Sequence, residues 1–409
     1  MLALQDFQKA VQRLEKVAHT TPLAYAPVLS DKSSFTIFLK KENLQVTGSF
    51  KLRGAFNKIA TLMEGCGIKG VVAASAGNHA QGVAFSAQYF NIKATIFMPE
   101  STPLNKVQGV ESYGAEVVLK GSNYDEAYGY AIEYAKSHNL EFVHPFADED
   151  VMAGQGSVAL EVCEQIKHFK DIDKLDAIVV PVGGGGLISG IAVAAKELNP
   201  NIKIIGVAAE GAPAMAKSFR EKHVINTESV RTIADGIAVK NTSDVTLKII
   251  LEYVDEMITV CDDEIASAIL FLLERQKLLV EGAGAVGVAA LLYNKIDLPK
   301  GSNVCVVLSG GNIDVTMLSL IIEKGLVKSS RKMKLVVTLI DKPGALEEFA
   351  HLMKVSQANI VQIGYDRTST DLEFGDAHVS VSLETKGLEH QNEIRTILKE
   401  YGYSFKELH

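Results

Sequence analysis

Ala177-Ile178-Val179-Val180-Pro181-Val182-Gly183-Gly184-Gly185-Gly186-Leu187 runs from an unbroken apolar segment into four successive glycines, and the helical spacing of Ile188–Leu198 follows. An apolar run without alternation is the pattern of a strand covered on both faces, as in a parallel sheet flanked by helices. Four glycines in a row lose too much backbone entropy on folding to serve only as a turn. Between a strand and a helix they let backbone N–H groups converge on an anion, and the helix start adds the positive end of its dipole. The segment predicts a phosphate cradle. No Gly-Lys-Ser/Thr follows, so it is not a P-loop, and the spacing is not that of a G-x-G-x-x-G dinucleotide fingerprint with an early acidic partner.

Outward from this loop the same alternation repeats. Val71–Ser75, Ala94–Pro99, Glu116–Leu119, Lys203–Ala208 and Asn303–Leu308 read as further strands, and Ala55–Leu62 and Gly156–Ile166 carry helical spacing. Such alternation predicts an α/β architecture with largely parallel sheets and right-handed crossovers. Ligands in these folds bind at the loops leaving the C-terminal strand ends. Two more loops of small residues stand there: Ser75-Ala76-Gly77-Asn78-His79 and Leu308-Ser309-Gly310-Gly311-Asn312. Taken alone, the first is compatible with a plain helix N-cap and the second with a plain turn. A lysine among small and apolar residues in Thr47-Gly48-Ser49-Phe50-Lys51-Leu52-Arg53-Gly54 is either a helix-start cation or a Schiff-base lysine, whose amine must be partly desolvated to react near neutral pH.

After Lys328 the pattern changes. Ser329-Ser330-Arg331-Lys332 reads as a polar, basic linker. Beyond it come a strand at Lys334–Ile340, a turn at Asp341-Lys342-Pro343-Gly344, a helix at Ala345–Val355, strands at Ile360–Tyr365 and Ala377–Leu383, a helix at Gln391–Tyr401 and an edge near Ser404–Leu408. The order βαββαβ is ferredoxin-like.

The bulk numbers exclude several function classes. A length of 409 residues predicts two or three domains. A net charge of -8 argues against a nucleic-acid or anionic-membrane partner. No apolar run approaches the ~18 residues of a membrane span. The segment Met1–Ala10 holds Asp6 and Lys9 and lacks the unbroken apolar stretch of a signal peptide, so a cytoplasmic location is expected. The cysteines Cys66, Cys163, Cys261 and Cys305 are scattered, and the histidines form no H-E-x-x-H cluster, so no metal is expected in the mechanism.

Together and in this order, the four segments resemble the fold-type-II pyridoxal-phosphate enzymes, the family of tryptophan synthase β-chains, serine racemases and serine/threonine dehydratases. The chain is most similar to the threonine dehydratases (threonine ammonia-lyases) of medium length that end in one ACT domain, from Thr20-Thr21-Pro22-Leu23 to the last strand. The resemblance implies a catalytic domain over residues 1–328, with a small subdomain at about 48–150 inserted in the large one, a linker at 329–332 and a regulatory domain at 333–409. It implies that pyridoxal 5'-phosphate is held by Phe50, Lys51, Asn78, Gly183, Gly184, Gly185, Gly186, Leu187 and Ser309. Lys51 would be the Schiff-base lysine and would carry the Cα proton. Ser75, Ala76, Gly77, Asn78 and His79 would line the substrate carboxylate pocket, with Phe146 a weaker candidate for its wall.

Ser309 would face the ring nitrogen, and a hydroxyl there cannot hold a pyridinium as a carboxylate does, which favours β-elimination over transamination. Ala76 stands where the racemases carry a serine acid/base, so racemisation should be negligible. Glu210 and Ala214 match the racemase metal site, but Ala216 replaces its second acid. Asp341, Pro343, Gly344, Ala345 and Leu346 would form the loop for an amino-acid effector, isoleucine in a biosynthetic enzyme, with a homodimer or homotetramer expected. The implied reaction takes water and then ammonia from L-threonine and L-serine. The alternatives are a serine-preferring dehydratase or racemase, and a pyridoxal-phosphate or amino-acid sensor without turnover.

Overall fold

The structure is a computed structural model that describes residues 2–408 except Cys66, Asp171 and Asp173, so Cys66 lies outside the described residues. By internal contacts the chain divides into two compact units, one ending at Asp314 and one starting at Val315. The division falls ahead of the boundary read from the sequence, because helix Val315–Lys328 belongs with the second unit and Lys332 is already the first residue of a strand.

The first unit carries strands β1 (Leu23–Tyr25), β2 (Thr36–Lys40), β3 (Gly70–Ala74), β4 (Lys93–Met98), β5 (Glu116–Leu119), β6 (Glu141–Phe142), β7 (Ala177–Pro181), β8 (Lys203–Ala209), β9 (Glu256–Val260) and β10 (Asn303–Val307). They form two sheets, β1-β2-β10-β7-β8-β9 and β5-β4-β3-β6. All neighbours are parallel except β1, which runs antiparallel to β2 at the edge. Every residue of β3 and β7 is buried, as their lack of alternation requires. Helices Glu149–Gln165 and Gly186–Leu198 cover the larger sheet with Val158, Val162, Ile188 and Ile191 in its core. A separate core of Val71, Ile96, Val83 and Val110 fills the smaller sheet.

The helix Lys51–Gly65 begins at Lys51 itself and is anchored by buried charge. Arg53 donates to both oxygens of Glu42, at 2.8 Å each, and to Glu161 at 2.6 Å and 3.0 Å. Lys40 Nζ reaches Glu161 at 2.5 Å, and Thr21 donates to Glu42. Two cations and two carboxylates thus neutralise one another, with Lys40, Glu42 and Arg53 buried and Glu161 partly so.

The second unit holds β11 (Lys332–Ile340), β12 (Asn359–Asp366), β13 (Asp376–Glu384) and β14 (Ser404–Glu407) in an antiparallel sheet ordered β12-β13-β11-β14. Besides Val315–Lys328 its helices are Ala345–Val355 and Leu388–Glu400, and Phe349, Leu352, Ile394 and Leu398 pack on Leu335, Val337, Val379 and Val381. Strand order and connections are those of the ferredoxin-like βαββαβ unit. Among the described residues, no helix is long and apolar enough to cross a membrane.

Candidate active site

Three loops leave the C-terminal ends of parallel strands: residues 75–77 after β3, residues 182–185 after β7 and residues 308–312 after β10. The segment before Lys51 is stitched to the third. Ser49 forms an antiparallel bridge with Gly310, Phe50 N–H donates to the Ser309 carbonyl at 3.0 Å, and Gly311 N–H donates to the Gly48 carbonyl at 2.8 Å. Asn312 Nδ2 donates to the Thr47 carbonyl and to Asn78 Oδ1, both at 2.8 Å. Lys51, Ser309 and Asn78 therefore sit on one hydrogen-bonded body, although the chain separates them widely.

Lys51 Nζ donates to the Pro145 carbonyl at 2.8 Å and lies 5.4 Å from the centre of the Phe50 ring. Burial pushes its pKa down to about 8, against the opposing pull of the Glu281 carboxylate. A useful share of the amine is then neutral near pH 7, which a nucleophile and proton acceptor requires.

The glycine loop is pressed against Phe146. A Cβ on Gly184 would fall 2.4 Å from the Phe146 ring, and one on Gly186 would fall 2.9 Å from Phe146 Cα. Gly185 turns the chain at φ 92° and opens helix Gly186–Leu198 with no side-chain cap. Thr246 donates to the Gly184 carbonyl at 2.8 Å. The first N–H groups of a helix have no acceptor within it, so this start presents bare donors where an anion can take them. Leu187 is turned into the core. Replacing Gly184 by alanine is expected to displace Phe146 at a cost of about 1–3 kcal/mol, read as roughly ten- to hundredfold weaker cofactor retention when apo-protein is titrated. Unchanged affinity would remove this loop from the cradle.

After β3, Ser75 Oγ accepts from Gly77 N–H at 3.2 Å, and helix Asn78–Tyr89 starts immediately after. Ser75, Ala76, Gly77 and Asn78 are half-buried, with open space around the Gly77 Cα. The structure places the His79 ring elsewhere: it is 3% exposed, and Nε2 lies 2.9 Å from the Val143 carbonyl. Because that carbonyl can only accept, Nε2 carries the proton. Burial, together with the nearby Lys51, lowers the pKa of His79 to about 3, and Nδ1 has no partner. His79 is a neutral ring tied to the smaller sheet, and only its backbone can contribute to the loop's donor surface. His144 accepts from the N–H groups of Phe146 and Ala147, which sets the turn that presents the Pro145 carbonyl to Lys51.

Two participants carry no assignment in the sequence reading. Asn312 was visible only as the end of a glycine turn. Glu281 is 3% exposed and accepts from Asn78 Nδ2 at 2.8 Å. Its signal is present: it is the one charge in the apolar run from Leu278 to Leu292, and charged residues are seldom fully buried without a partner.

Glu210 is half exposed and lies 3.6 Å from Lys295 Nζ, which also bonds Glu264 at 2.7 Å and the Thr259 carbonyl at 3.0 Å. Among the described residues, no three His, Cys, Asp or Glu are grouped to hold a metal ion. In the second unit, Gly344 takes φ 90° at the start of helix Ala345–Val355, and Pro343 and Leu346 are exposed while Ala345 is buried. Asp341 pairs with Arg367 at 2.6 Å and accepts from the Tyr365 hydroxyl at 3.0 Å.

A desolvated amine, an uncapped glycine cradle at a helix start and a loop carrying the Asn78 amide fit pyridoxal 5'-phosphate. The comparisons agree. The family described as pyridoxal-phosphate dependent enzyme matches residues 14–310. An L-threonine ammonia-lyase of Thermotoga maritima is 48% identical over 406 residues, 99% of each chain. The processed form of threonine deaminase isoform 2 from Solanum lycopersicum superposes with a TM-score of 0.72 at 38% identity, covering 78% of this chain and 87% of that one. Maize serine racemase superposes at 0.73 with 33% identity, covering 80% and 98%. The chain belongs to the pyridoxal-phosphate-dependent enzymes, in the branch that holds the L-threonine ammonia-lyases.

Proposed function

We propose that this chain is an L-threonine ammonia-lyase that converts L-threonine to 2-oxobutanoate and ammonia, and L-serine to pyruvate and ammonia. The observation that carries the reading is the Lys51 amine, with its pKa near 8, on the same hydrogen-bonded body as Ser309 and Asn78. Bound pyridoxal phosphate would supply an imine-forming aldehyde and a ring that withdraws electrons from Cα.

The residues of the chain divide the remaining work. Gly183 to Leu187 would hold the phosphate through backbone N–H groups, Phe50 would pack beside the ring and Asn78 would donate to its phenolate oxygen. Ser75, Ala76, Gly77, Asn78 and His79 bound the carboxylate pocket, the last through its backbone. Lys51 would accept the Cα proton, the β-hydroxyl would take a proton from a neighbouring acid and leave as water, and the released enamine would take up water to give oxo acid and ammonia. Ser309 would offer the ring nitrogen a neutral hydroxyl, which favours β-elimination over transamination. Ala76 has no proton to give, which speaks against racemisation.

The second unit would sense an amino acid, isoleucine in a biosynthetic setting, at Asp341, Pro343, Gly344, Ala345 and Leu346. A cytoplasmic homodimer or homotetramer fits this role. The test is 2-oxo acid release by the cofactor-loaded protein from L-threonine and L-serine in parallel, with isoleucine absent or present. Formation of 2-oxobutanoate, altered by isoleucine, supports both parts of the reading. Absence of any oxo acid overturns the first part, and indifference to isoleucine overturns the second.

A further inference from the structure

A chain of forced hydrogen bonds ends on Glu281. The Thr47 carbonyl can only accept, so Asn312 turns Nδ2 toward it at 2.8 Å and offers the same nitrogen to Asn78 Oδ1 at 2.8 Å. The Asn78 amide is thereby fixed, and its Nδ2 must face Glu281 Oε1, again at 2.8 Å. The carboxylate lies over the turn after β10, since a Cβ on Gly310 would meet Glu281 Oε1 at 2.3 Å. Glu281 N–H donates to the Gly310 carbonyl at 3.0 Å, which locks the two segments together. Asn78 Nδ2 carries a second hydrogen beyond the one that meets Glu281.

We propose that Glu281 is a positioning residue that aims the Asn78 amide at the cofactor and serves as counter-ion to the Lys51 ammonium formed when the lysine takes the Cα proton. The proposal rests on the ammonia-lyase reading for its proton-transfer half. The charged groups around Glu281 come from three elements: Lys51 at the start of its helix, Lys106 on helix Leu104–Glu111, and Asp235 on the turn Asp235–Ile237. Lys106 and Asp235 pair with each other at 3.0 Å and are partly exposed. Burial raises the pKa of Glu281 to about 7, and Asp235 adds to the rise. The Asn78 hydrogen bond, Lys106 and Lys51 oppose it. The carboxyl therefore gains its proton as pH falls through about 7, and the counter-ion is lost on the acid side.

Glu281→Gln keeps an acceptor oxygen for Asn78 and removes the charge. In cofactor-free protein, the pH dependence of Lys51 labelling by an amine reagent, resolved by peptide mass spectrometry, reads the lysine without any turnover. Its apparent pKa is expected to move down in Glu281→Gln. In loaded enzyme, an acid-side inflection of kcat near the pKa of Glu281 is expected to disappear in the same variant. Lys106→Met should move the wild-type inflection up and Asp235→Asn should move it down, since one removes a positive and the other a negative neighbour. An unshifted Lys51 in Glu281→Gln, or an inflection that persists there, overturns the proposal. Wild-type protein that releases no oxo acid while its Lys51 still shifts in Glu281→Gln overturns the ammonia-lyase reading and the proton-transfer role with it, and leaves the counter-ion pair standing.

Discussion

Lys51→Ala is expected to fold, to bind pyridoxal phosphate without the visible imine band, and to lose on the order of 10⁴-fold or more in oxo acid formation, because one side chain supplies both the imine nitrogen and the proton acceptor. The fold should survive. The amine holds the Pro145 carbonyl, which water can satisfy once the side chain is gone, and the helix after it is secured by Leu52, Ala55, Phe56 and Ile59 in the core. Alanine also suits the first turn of a helix. Absorbance spectra and oxo acid assays on the purified variant check both losses. Retention of either the band or the turnover removes Lys51 from its assigned role.

Arg53→Met is expected to have the largest effect on stability, about 3–5 kcal/mol. Arg53 is 1% exposed and holds Glu42, which is fully buried, together with Glu161. With methionine in its place Glu42 keeps the Thr21 hydroxyl and the more distant Lys40, and a charged carboxylate is left in a dry interior. Burial alone would raise the pKa of Glu42, yet Arg53 and Lys40 more than reverse this and hold it below the usual carboxylate value. A folded pKa below the unfolded one contributes stability at neutral pH that disappears as pH falls through the folded value. Wild type should therefore lose this contribution in acid, and Arg53→Met should lack it at every pH. Chemical denaturation at pH 7 and in acid measures both. A change below about 1 kcal/mol would mean that the network is replaceable by packing. Because Arg53 lies two residues after Lys51 on the same helix, weaker cofactor retention should accompany the loss.

Much of this architecture is written locally. β5 is found at the residues read from the sequence, and β3, β4, β7, β8 and β10 begin and end within a residue of expectation, because their apolar runs are bounded by glycine, proline or polar residues. The helix after the glycine loop begins at Gly186, two residues before the periodic apolar positions announce it. Gly186 is helical in backbone while lacking a side chain to show it. β1, β2, β6 and β9 were not marked: β1 and β6 have only three and two residues, and the edge strand β9 shows no alternation, its first four residues all being half-buried.

The candidate site could be read from the sequence where it is made of backbone and small residues, at Gly183–Gly186 and around Lys51. It was illegible where it depends on contacts across the chain. Nothing local tells that the Asn312 amide will meet Asn78, 234 positions away, or that Glu281 will turn inward onto the same residue across 203 positions. His79 shows the opposite failure. Its place in a loop of small residues suggests a substrate contact, and the reason its ring turns away, the Val143 carbonyl after β6, lies 64 residues further on.

Borohydride reduction of the cofactor-loaded protein, followed by peptide mapping, tests the central claim most directly. The account predicts a single stable pyridoxyl adduct on Lys51, prevented by prior Lys51→Ala substitution. An adduct on any other lysine, or none in a protein that holds pyridoxal phosphate, would contradict it.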